Sequence, residues 1–589
     1  METIHTIQSK LADFKVDKAA HVEDAPTLEI DKTPLQLPPN TDLAKFRQFM
    51  IKVFATCGQE NAYVVNSKEE HLKDGWYLEQ SKTYDMHHLF SERTSFVASA
   101  VVCPCDVPQV QAIVRLANEF KIPIWPISIG RNIGYGGAAP RVTGSVVVDM
   151  GKNMNKVLNV DLDAASCLLE PGVTYTDLYN YLVEHKLEDK LWIDVPDLGG
   201  GSVLGNCLDR GVGYTPYGDH FMMHCGMEIV LPNGELVRTG MGAMPDPTRP
   251  GYDPSKPPHE QPGNDSWQLF NYGFGPYLDG IFTQSGLGIV TKLGMWLMPN
   301  PGGFEAYMVS FEKESDLEAA IEVIRPLRLQ NLLPNVPTMR SIIMDAACLA
   351  SRKELVSHQG RLTEEDYLKI GKKFDLGRWN FYGAVYGPDA IREVNLKVIK
   401  DAFLTIPGAR FRLKEDLKEP SILHIRHNTL QGIPTYDELK WLDWIDNGVH
   451  LFFAPIARVS GEQAMKQFNI SKAIVEEAGL DFIGTFTVGM REMHHIVSIL
   501  FNSKDDSQRS RALNAIRKLI DICAANGWGE YRTHLALMDQ IAGTYNFNNN
   551  SLMRLNESIK NAVDPNGIMA PGKSGIWPSC YDKEKWVLN

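Results

Sequence analysis

Apolar and polar residues follow two different periods along the chain, and together they predict a mixture of strands and helices. The run 96–102 consists of small and apolar residues, which is typical of a buried strand. Asp106 follows as a candidate helix N-cap, with Pro108 in the first turn and Gln109 placed close to a capping box. The apolar residues after this cap recur at helical spacing: Val110, Ile113, Val114 and Ala117.

The segments that follow extend this alternation into a second region. Residues 122–127 are predicted to be extended because their two prolines exclude a helix interior, and 145–149 reads as a further strand. Proline and glycine interrupt the chain near residue 298, where we place a domain boundary. Beyond it, the patterns predict a helix over 315–324 opened by the capping-box pair Ser315 and Glu318, a helix over 391–403, and apolar runs at 381–385 and 450–456.

Length and composition indicate an ordinary globular protein of at least two domains. The chain has 589 residues, of which 44% are apolar and 22% are charged. Its net charge of −13 argues against a nucleic-acid or anionic-membrane partner, since both need concentrated Lys and Arg. No apolar run reaches the length of a membrane span, and neither end carries a clear targeting signal. We therefore expect a cytoplasmic protein, with a peroxisomal location left open.

The cysteines and histidines do not suggest a metal centre. The nine cysteines are an odd number scattered over the whole length, which favours free thiols over a disulfide framework. Cys103 and Cys105 form the only close pair, and their spacing matches no common zinc motif. The pairs at 87–88 and 494–495 lack a carboxylate pattern or an H-E-x-x-H motif, so we expect no metal.

A glycine-rich loop at 126–137 is the first candidate ligand-binding segment. Residues 134–139 can be read as G-x-G-x-x-A, the dinucleotide fingerprint. However, the chain leads straight into the strand at 145–149, with no helix whose N-terminus could meet a pyrophosphate. What remains is a loop whose backbone N–H groups could approach an anion, or a simple connection between strands. This segment alone does not separate the two.

A second glycine cluster favours ligand binding. Three successive glycines at 199–201 follow Asp197, and glycine loses more conformational freedom on folding than any other residue. Such a run needs a reason, for example a close approach of the backbone to a ligand. The segment 211–220 adds aromatic and polar groups, and 286–291 could supply a further close-approach turn.

The segments 128–137, 170–175 and 197–206 resemble the FAD-binding half of the vanillyl-alcohol oxidase family. This family includes p-cresol methylhydroxylase and the sugar and lactone oxidases. The resemblance is to the vanillyl-alcohol oxidase branch and runs from about residue 33 to about residue 580, taking in 450–453 and 529–534. It implies an α+β fold, with an FAD-binding domain of the vanillyl-alcohol oxidase type in two sequence pieces and an inserted α+β cap. The implied regions are an N-terminal arm at 1–32, the FAD-binding pieces at 33–297 and 528–589, and the cap at 298–527.

The resemblance also implies the cofactor and its site. FAD would be attached through its 8α carbon to His450, with the help of His88 or, as the second choice, His87. A lone histidine before an apolar run is otherwise more often a core residue. The resemblance and the glycine segments together give these further FAD-binding residues: Ser128, Gly130, Arg131, Asn132, Gly134, Gly136, Gly199, Gly200, Gly201, Ser202, Gly205, Asn206, Gly288 and Val290.

The implied activity is the oxidation of para-substituted phenols such as vanillyl alcohol, 4-(methoxymethyl)phenol and eugenol-like compounds. Tyr135, Tyr531 and Arg532 would stabilise the phenolate, since donors and positive charge lower a phenol pKa. Adjacent strand residues face opposite ways, so Tyr531 and Arg532 reach one site only if the chain turns there. Asp197 would lie near flavin N5 and act as proton acceptor or donor when water adds to the p-quinone methide. The alternative is that Asp197 is an ordinary turn residue before the glycines.

Three alternatives remain at this stage. In the first, O2 reoxidises the flavin and gives hydrogen peroxide. In the second, a cytochrome takes the electrons, although that branch typically holds its flavin through a tyrosine. In the third, the chain is a non-catalytic flavin-binding protein. The resemblance also implies a homodimer or homo-octamer, and the Pro- and Gly-rich stretch 241–267 is a candidate contact region. Arg426, Glu438 and Thr485 lie in matching cap segments without an assigned role.

Overall fold

The first layer of the protein is a small sheet covered by two amphipathic helices. The computed structural model describes residues 29–66 and 96–588. The strands are β1 (Ala62–Val64), β2 (Ala100–Val102), β3 (Ile124–Ile127) and β4 (Val146–Asp149), in the order β1-β2-β4-β3. Strands β2, β4 and β3 are parallel, and β1 is antiparallel to β2. Helices α1 (Leu43–Cys57) and α2 (Val107–Phe120) bury their apolar faces in the same core.

The predictions for this layer are confirmed. The Asp106 carboxylate accepts a hydrogen bond from the Gln109 backbone N–H at 2.9 Å, so it caps α2 as predicted. The Gln109 side chain completes the turn one residue earlier than a capping box would, since it accepts from the Cys105 N–H. No helix lies between β3 and β4, so the glycine loop is not a dinucleotide fingerprint.

A second, antiparallel sheet follows. Its strands, in the order β5-β6-β10-β8-β9, are β5 (Val157–Asp161), β6 (Ser166–Leu169), β8 (His224–Val230), β9 (Leu236–Arg238) and β10 (Ile289–Trp296). Strands β7 (Leu191–Trp192) and β11 (Met298–Pro299) form a separate pair. Helices α3 (Tyr175–Glu184) and α4 (Val203–Leu208) bury apolar side chains in the core of this sheet. The short α4 begins at Ser202, directly after the triple glycine.

The region beyond residue 300 is built on one eight-stranded antiparallel sheet. Seven strands follow the order β15-β12-β14-β13-β18-β19-β16, and β17 also pairs with β19. The strands are β12 (Phe304–Phe311), β13 (Thr338–Ser341), β14 (Trp379–Tyr386), β15 (Arg410–Leu413), β16 (Gly448–Phe453), β17 (Ile456–Arg458), β18 (Gly484–Val488) and β19 (Glu492–Asn502). The helices are α5 (Asp316–Leu329), α6 (Ile342–Ala347), α7 (Arg352–Leu355), α8 (Glu364–Phe374), α9 (Asp389–Phe403), α10 (Ile422–Leu430), α11 (Gly461–Glu477) and α12 (Asp506–Ala525).

Helices cover both faces of this sheet, and β12 shows why. Its side chains alternate between the faces. Tyr307, Val309 and Phe311 join a core with α5, α9, α11 and α12, whereas Ala306 and Met308 join a second core with α6, α8 and α10. The sheet is therefore buried on both sides, which explains its long apolar runs.

One predicted helix start is wrong in detail. Helix α5 exists where expected, but Ser315 makes no side-chain cap and has helical backbone angles of φ −67° and ψ −17°. The Asp316 carboxylate instead accepts from the Lys313 N–H at 2.9 Å. The capping-box prediction failed because Ser315 already has helical angles, and the side-chain hydrogen bond at this turn is the one that Asp316 accepts from Lys313 upstream.

The C-terminal segment returns to the first layer. After α13 (Met538–Thr544) and α14 (Phe547–Val563), the chain runs along the free edge of β3. The Ile124 N–H donates to the Ile568 carbonyl at 2.7 Å, and the Ala570 N–H donates to the Ile124 carbonyl at 2.8 Å. The end of the chain thus packs beside its N-terminal half, while the domain limits given above stay predictions.

Two further expectations concern the chain as described. All nine cysteines are free, and no cluster suited to a metal ion lies within 29–66 and 96–588. Within the same ranges, no helix is long and apolar enough to cross a bilayer. The stretch 241–267 is largely irregular, with short 3₁₀ turns at Gly240–Ala243 and Pro258–Glu260 and the buried Trp267 at its end.

Candidate active site

A cavity of about 340 Å³ lies where the glycine loops, the second sheet and the eight-stranded sheet meet. Its volume is in the range of ligand-binding pockets, roughly 300–1,000 Å³. Most of the predicted site residues line it: Tyr135, Asp197, Tyr531, Arg532, Ser128, Gly130, Arg131, Asn132, Gly201, Ser202, Gly205, Asn206, Gly288 and Val290. Sequence segments more than 400 residues apart therefore meet around one space.

The loop after β3 needs its glycines. Gly130, Gly134 and Gly136 have positive φ angles of 68°, 77° and 112°, a backbone region that residues with a side chain rarely adopt. On the facing helix α4, a Cβ on Gly205 would lie 2.3 Å from the Ser128 Oγ. The missing side chain of Gly205 therefore lets α4 approach the loop after β3.

Four of the predicted glycines stand behind the cavity wall. A Cβ on Gly199 would lie 2.7 Å from the Pro434 Cβ, and one on Gly200 would lie 2.0 Å from the Tyr436 hydroxyl. Two of the three successive glycines thus let the segment 434–436 approach. Gly136 packs on Leu535, and Gly134 packs on His450.

His450 lies on β16 with its ring against the glycine loop. A Cβ on Gly134 would lie 2.5 Å from the His450 Nε2, and the ring contacts Trp441 and Phe452, which both line the cavity. The side chain is 1% exposed, and neither ring nitrogen has a hydrogen-bond partner among the described residues. Burial lowers the pKa of His450 to about 3, so the ring is neutral at physiological pH. His87 and His88 lie outside the described residues.

Tyr135, Tyr531 and Arg532 meet at one end of the cavity. The Arg532 Nη2 donates to the Tyr135 hydroxyl at 3.2 Å. The guanidinium carbon lies 4.3 Å from the centre of the Tyr135 ring and 5.7 Å from that of Tyr531. Burial raises the pKa of both tyrosines, and Arg532 opposes that rise. Both therefore remain neutral hydrogen-bond donors beside a permanent cation.

The chain bends at Tyr531 and Arg532, which resolves the difficulty that adjacent strand residues face opposite ways. Glu530 stabilises this bend. Its buried carboxyl accepts from the Ala454 N–H, next to β16, and from the Arg532 N–H at 3.3 Å. Burial raises the pKa of Glu530 to about 8, so it does not place a full negative charge behind Arg532 at neutral pH.

Asp197 faces the cavity at the edge of a buried charge cluster. The Tyr214 hydroxyl donates to its Oδ2 at 2.8 Å, and the Arg426 Nη1 lies 3.8 Å from its Oδ1. Burial raises the pKa of Asp197 to about 6, with a further rise from Glu438, whereas Arg426 and Arg340 oppose it. A carboxyl that changes charge near neutral pH suits proton transfer.

The rest of this cluster is closed on itself. Arg426 Nη1 donates to the Glu438 Oε2 at 2.6 Å, and Arg340 contacts the same oxygen. Arg340 Nε also donates to the Asp345 Oδ1 at 2.6 Å. Burial pushes the pKa of Glu438 up, but the two guanidinium groups outweigh it and the net shift is downward. Glu438 is therefore ionised, and both arginines are paired.

Several cavity residues were not found from the sequence. Arg340 and Lys573 line the cavity beside the predicted residues, as do the aromatic residues Trp441 and Phe452. Lys573 lies in the Gly- and Pro-rich turn 571–575, so the reasoning applied to the other glycine loops could have found it. Arg340 lies within β13 and has no local signal, because its partners are distant in sequence.

Comparisons with known proteins agree with this fold. Residues 98–240 match the FAD binding domain family, and residues 384–574 match the C-terminal domain of FAD linked oxidases. The flavoprotein subunit of 4-cresol dehydrogenase (hydroxylating) from Pseudomonas putida is 36% identical over 541 residues, which cover 92% of this chain and 97% of that protein.

Two solved structures share the fold over the same length. A 4-ethylphenol oxidase from Gulosibacter chungangensis, in complex with isoeugenol, has a TM-score of 0.85 and 38% identity. A p-cresol methylhydroxylase with substrate bound has a TM-score of 0.83 and 34% identity. Each alignment covers 92% of this chain and 99% of the other.

Fold and site thus define an FAD-binding oxidoreductase with the two-part flavoprotein fold. The chain belongs to the p-cresol methylhydroxylase/vanillyl-alcohol oxidase family of flavoproteins. The residues present fit FAD: two glycine loops border a cavity of suitable size, and a buried neutral histidine without a described partner lies against one of them.

Proposed function

We propose that this protein is an oxidase of para-substituted phenols with FAD bound covalently to His450. The observation that carries the proposal is the meeting of Tyr135, Tyr531 and Arg532 at one end of the FAD cavity. The solved relatives support it, since their printed names refer to 4-ethylphenol and p-cresol. Vanillyl alcohol, 4-(methoxymethyl)phenol and 4-alkyl- or 4-allylphenols are the substrates we expect.

The three residues would bind the phenol as its anion. Two phenolic donors and one cation, which line one end of the cavity, favour the charged form of a hydroxyl placed between them. An aromatic oxyanion can push electrons through the ring to the benzylic carbon, which weakens its C–H bond toward hydride loss. Bound FAD would supply the acceptor for that hydride, with O2 as the final electron acceptor and H2O2 as its product.

Asp197 would manage the proton that accompanies this chemistry. In its ionised form it can take a proton from water that adds to the p-quinone methide, or from the substrate's own alcohol. Its link to Arg426 through 3.8 Å and to Tyr214 through 2.8 Å keeps the carboxyl at the cavity edge.

His450 would carry the covalent link through its imidazole to the flavin 8α carbon. A neutral ring nitrogen is a nucleophile, and burial keeps this ring neutral. Precipitation with acid tests the link, because we expect the yellow colour to stay with the peptide and the mass increment to map to the fragment with His450. Colour that is lost to the supernatant would contradict it.

The second candidate is a cytochrome-linked dehydrogenase of the same fold, favoured by the name of the Pseudomonas putida relative. Stoichiometric H2O2 from 4-ethylphenol or vanillyl alcohol in air, without an added acceptor, supports the oxidase. Turnover only with cytochrome or an artificial dye would support the dehydrogenase. The matching O-methyl ethers serve as the control, since they cannot form a phenolate and should not react.

A further inference from the structure

Apart from Tyr214, the segment 211–220 has no place in the proposed chemistry, although its residues Val212 and Tyr214 line the cavity. His220 is 1% exposed, and its Nε2 lies 2.5 Å from the Asp194 Oδ2. Its Nδ1 lies 2.6 Å from the Asn206 Oδ1 and 3.0 Å from the Tyr175 hydroxyl. Asn206 lines the FAD cavity. A buried chain of hydrogen bonds therefore runs from Asp194 through His220 to a side chain at the cofactor site.

Two glycines make room for this chain. A Cβ on Gly213 would lie 1.5 Å from the Asp194 Oδ2, and a Cβ on Gly211 would lie 2.1 Å from the Asn206 Oδ1. The G-x-G pattern of the segment thus admits the two groups that flank the imidazole. Because Asn206 packs against Gly211, its amide can reverse its two ends but has little space to swing elsewhere.

The hydrogen positions follow from the partners. Asp194 only accepts, so the His220 Nε2 donates to it. At 2.6 Å the Nδ1 and the Asn206 oxygen cannot both be acceptors, so a proton lies between them. The Asn206 carbonyl oxygen is then held by His220, and its NH2 group is left for the cavity.

We propose that His220 is a positioning residue that holds the Asn206 amide with its nitrogen toward bound FAD. Asn206 lines the same cavity as Tyr531 and Arg532. An N–H directed at the flavin stabilises the electron density that the ring gains on reduction. The inference requires FAD in the cavity but not a phenolic substrate.

The test compares His220→Leu with a matched variant, His224→Leu. His224 is equally buried and pairs with Asp279 at 3.0 Å, but neither residue lines the cavity. The flavin midpoint potential is measured by dye equilibration, and flavin reduction is followed without oxygen. We expect a lower potential and a roughly fivefold slower reduction for His220→Leu, the loss of about one hydrogen bond. His224→Leu should retain the original potential.

Two further variants keep the inference testable if His220→Leu does not fold. His220→Gln retains an N–H donor and should recover part of the potential. Asn206→Leu should lower the potential by itself, and His220→Gln should have no additional effect in that background. An unchanged potential in His220→Leu or in Asn206→Leu would overturn the inference. Because dye equilibration needs no phenol, a failure of phenol oxidation would contradict the proposed function and leave this result independent.

Discussion

Two arginine clusters border the same cavity, and they differ in how their charge is balanced. Arg340 and Arg426 share the Glu438 carboxylate, and Asp345 and Asp197 complete the set. Arg532 makes no ion pair with any described carboxylate and is flanked by two tyrosines. Asp209 raises the pKa of Arg532 through its charge without forming an ion pair with it, and burial raises the pKa of Glu530 to about 8.

The difference shows which cluster is prepared for an anionic ligand. A cation in a cavity without a directly paired carboxylate is costly for the folded protein, and its presence suggests that the counter-ion arrives with the substrate. The Arg340–Arg426 cluster has its counter-ions already. We therefore assign the binding of negative charge to the Arg532 cluster. The Arg340–Arg426 cluster supports Asp197 and stabilises the fold.

Replacement of Arg532 should have the largest effect on catalysis. Arg532→Met removes the cation and keeps much of the volume, so we expect kcat/KM for a para-substituted phenol to fall on the order of 10³-fold, as on loss of an oxyanion-stabilising group. Because no ion pair is broken, the free energy of unfolding should change by less than about 1 kcal/mol. Steady-state kinetics and denaturant unfolding measure the two quantities. A loss of stability with near-normal kcat/KM would reverse our assignment.

Arg426→Met should produce the opposite balance. It leaves the buried Glu438 with one cation fewer, and breaking a buried pair costs about 3 kcal/mol of unfolding free energy or more. The double replacement Arg426→Met with Glu438→Gln removes both charges and should recover much of that loss. If the single variant were as stable as the original protein, the closed cluster would not have the structural role described here.

Asp197→Asn tests the carboxyl of the Arg340–Arg426 cluster that faces the substrate. Removal of a proton acceptor should lower kcat on the order of 10²-fold. The carboxylate is the active form in this account and its pKa is raised by burial to about 6. Activity of the original protein should therefore rise with pH through about 6 and fall below it, and this step should be absent from the pH profile of Asp197→Asn. A step of the same size in both proteins would exclude Asp197 as its origin.

The contrast between the two clusters also marks what the sequence could reveal. Local features were predictable: the Asp106 cap depends on residues three positions apart, and the glycines at 130, 134 and 136 have the positive φ angles that glycine adopts most easily. The convergence of Tyr135 with Arg532 came from family resemblance, because no local pattern connects residues almost 400 positions apart.

Other features depend on tertiary packing and could not be predicted. Arg340 lies in the middle of a buried strand, where its charge is tolerated only because Glu438 and Asp345 fold against it. The cap at Ser315 also failed, since the sequence does not show that Ser315 takes helical angles and that Asp316 accepts from the Lys313 N–H. The use of Gly199 and Gly200 to admit the cap segment likewise requires knowledge of where Pro434 and Tyr436 lie.

Tyr135→Phe should have the smallest effect on catalysis. It separates the contribution of one tyrosine from that of Arg532 in the Arg532 cluster. This change removes one donor to the phenolate but leaves Arg532 and Tyr531 in place, so kcat/KM should fall about tenfold, the value of one hydrogen bond to a charged group. Tyr307→Phe is the matched control, because Tyr307 is fully buried away from the cavity and its hydroxyl has no partner among the described residues. That control should leave kcat/KM unchanged.

The pair of tyrosines also separates hydrogen bonding from charge. If Arg532 supplies most of the stabilisation, the Tyr135→Phe loss should be similar for phenols of different acidity, since the cation still selects the anion. If instead the Tyr135 hydroxyl mainly fixes the position of Arg532, to which it is joined at 3.2 Å, the variant should lose as much activity as Arg532→Met. A loss near 10³-fold would therefore show that the two residues act as one unit, and a tenfold loss that the cation acts largely without its tyrosine partner.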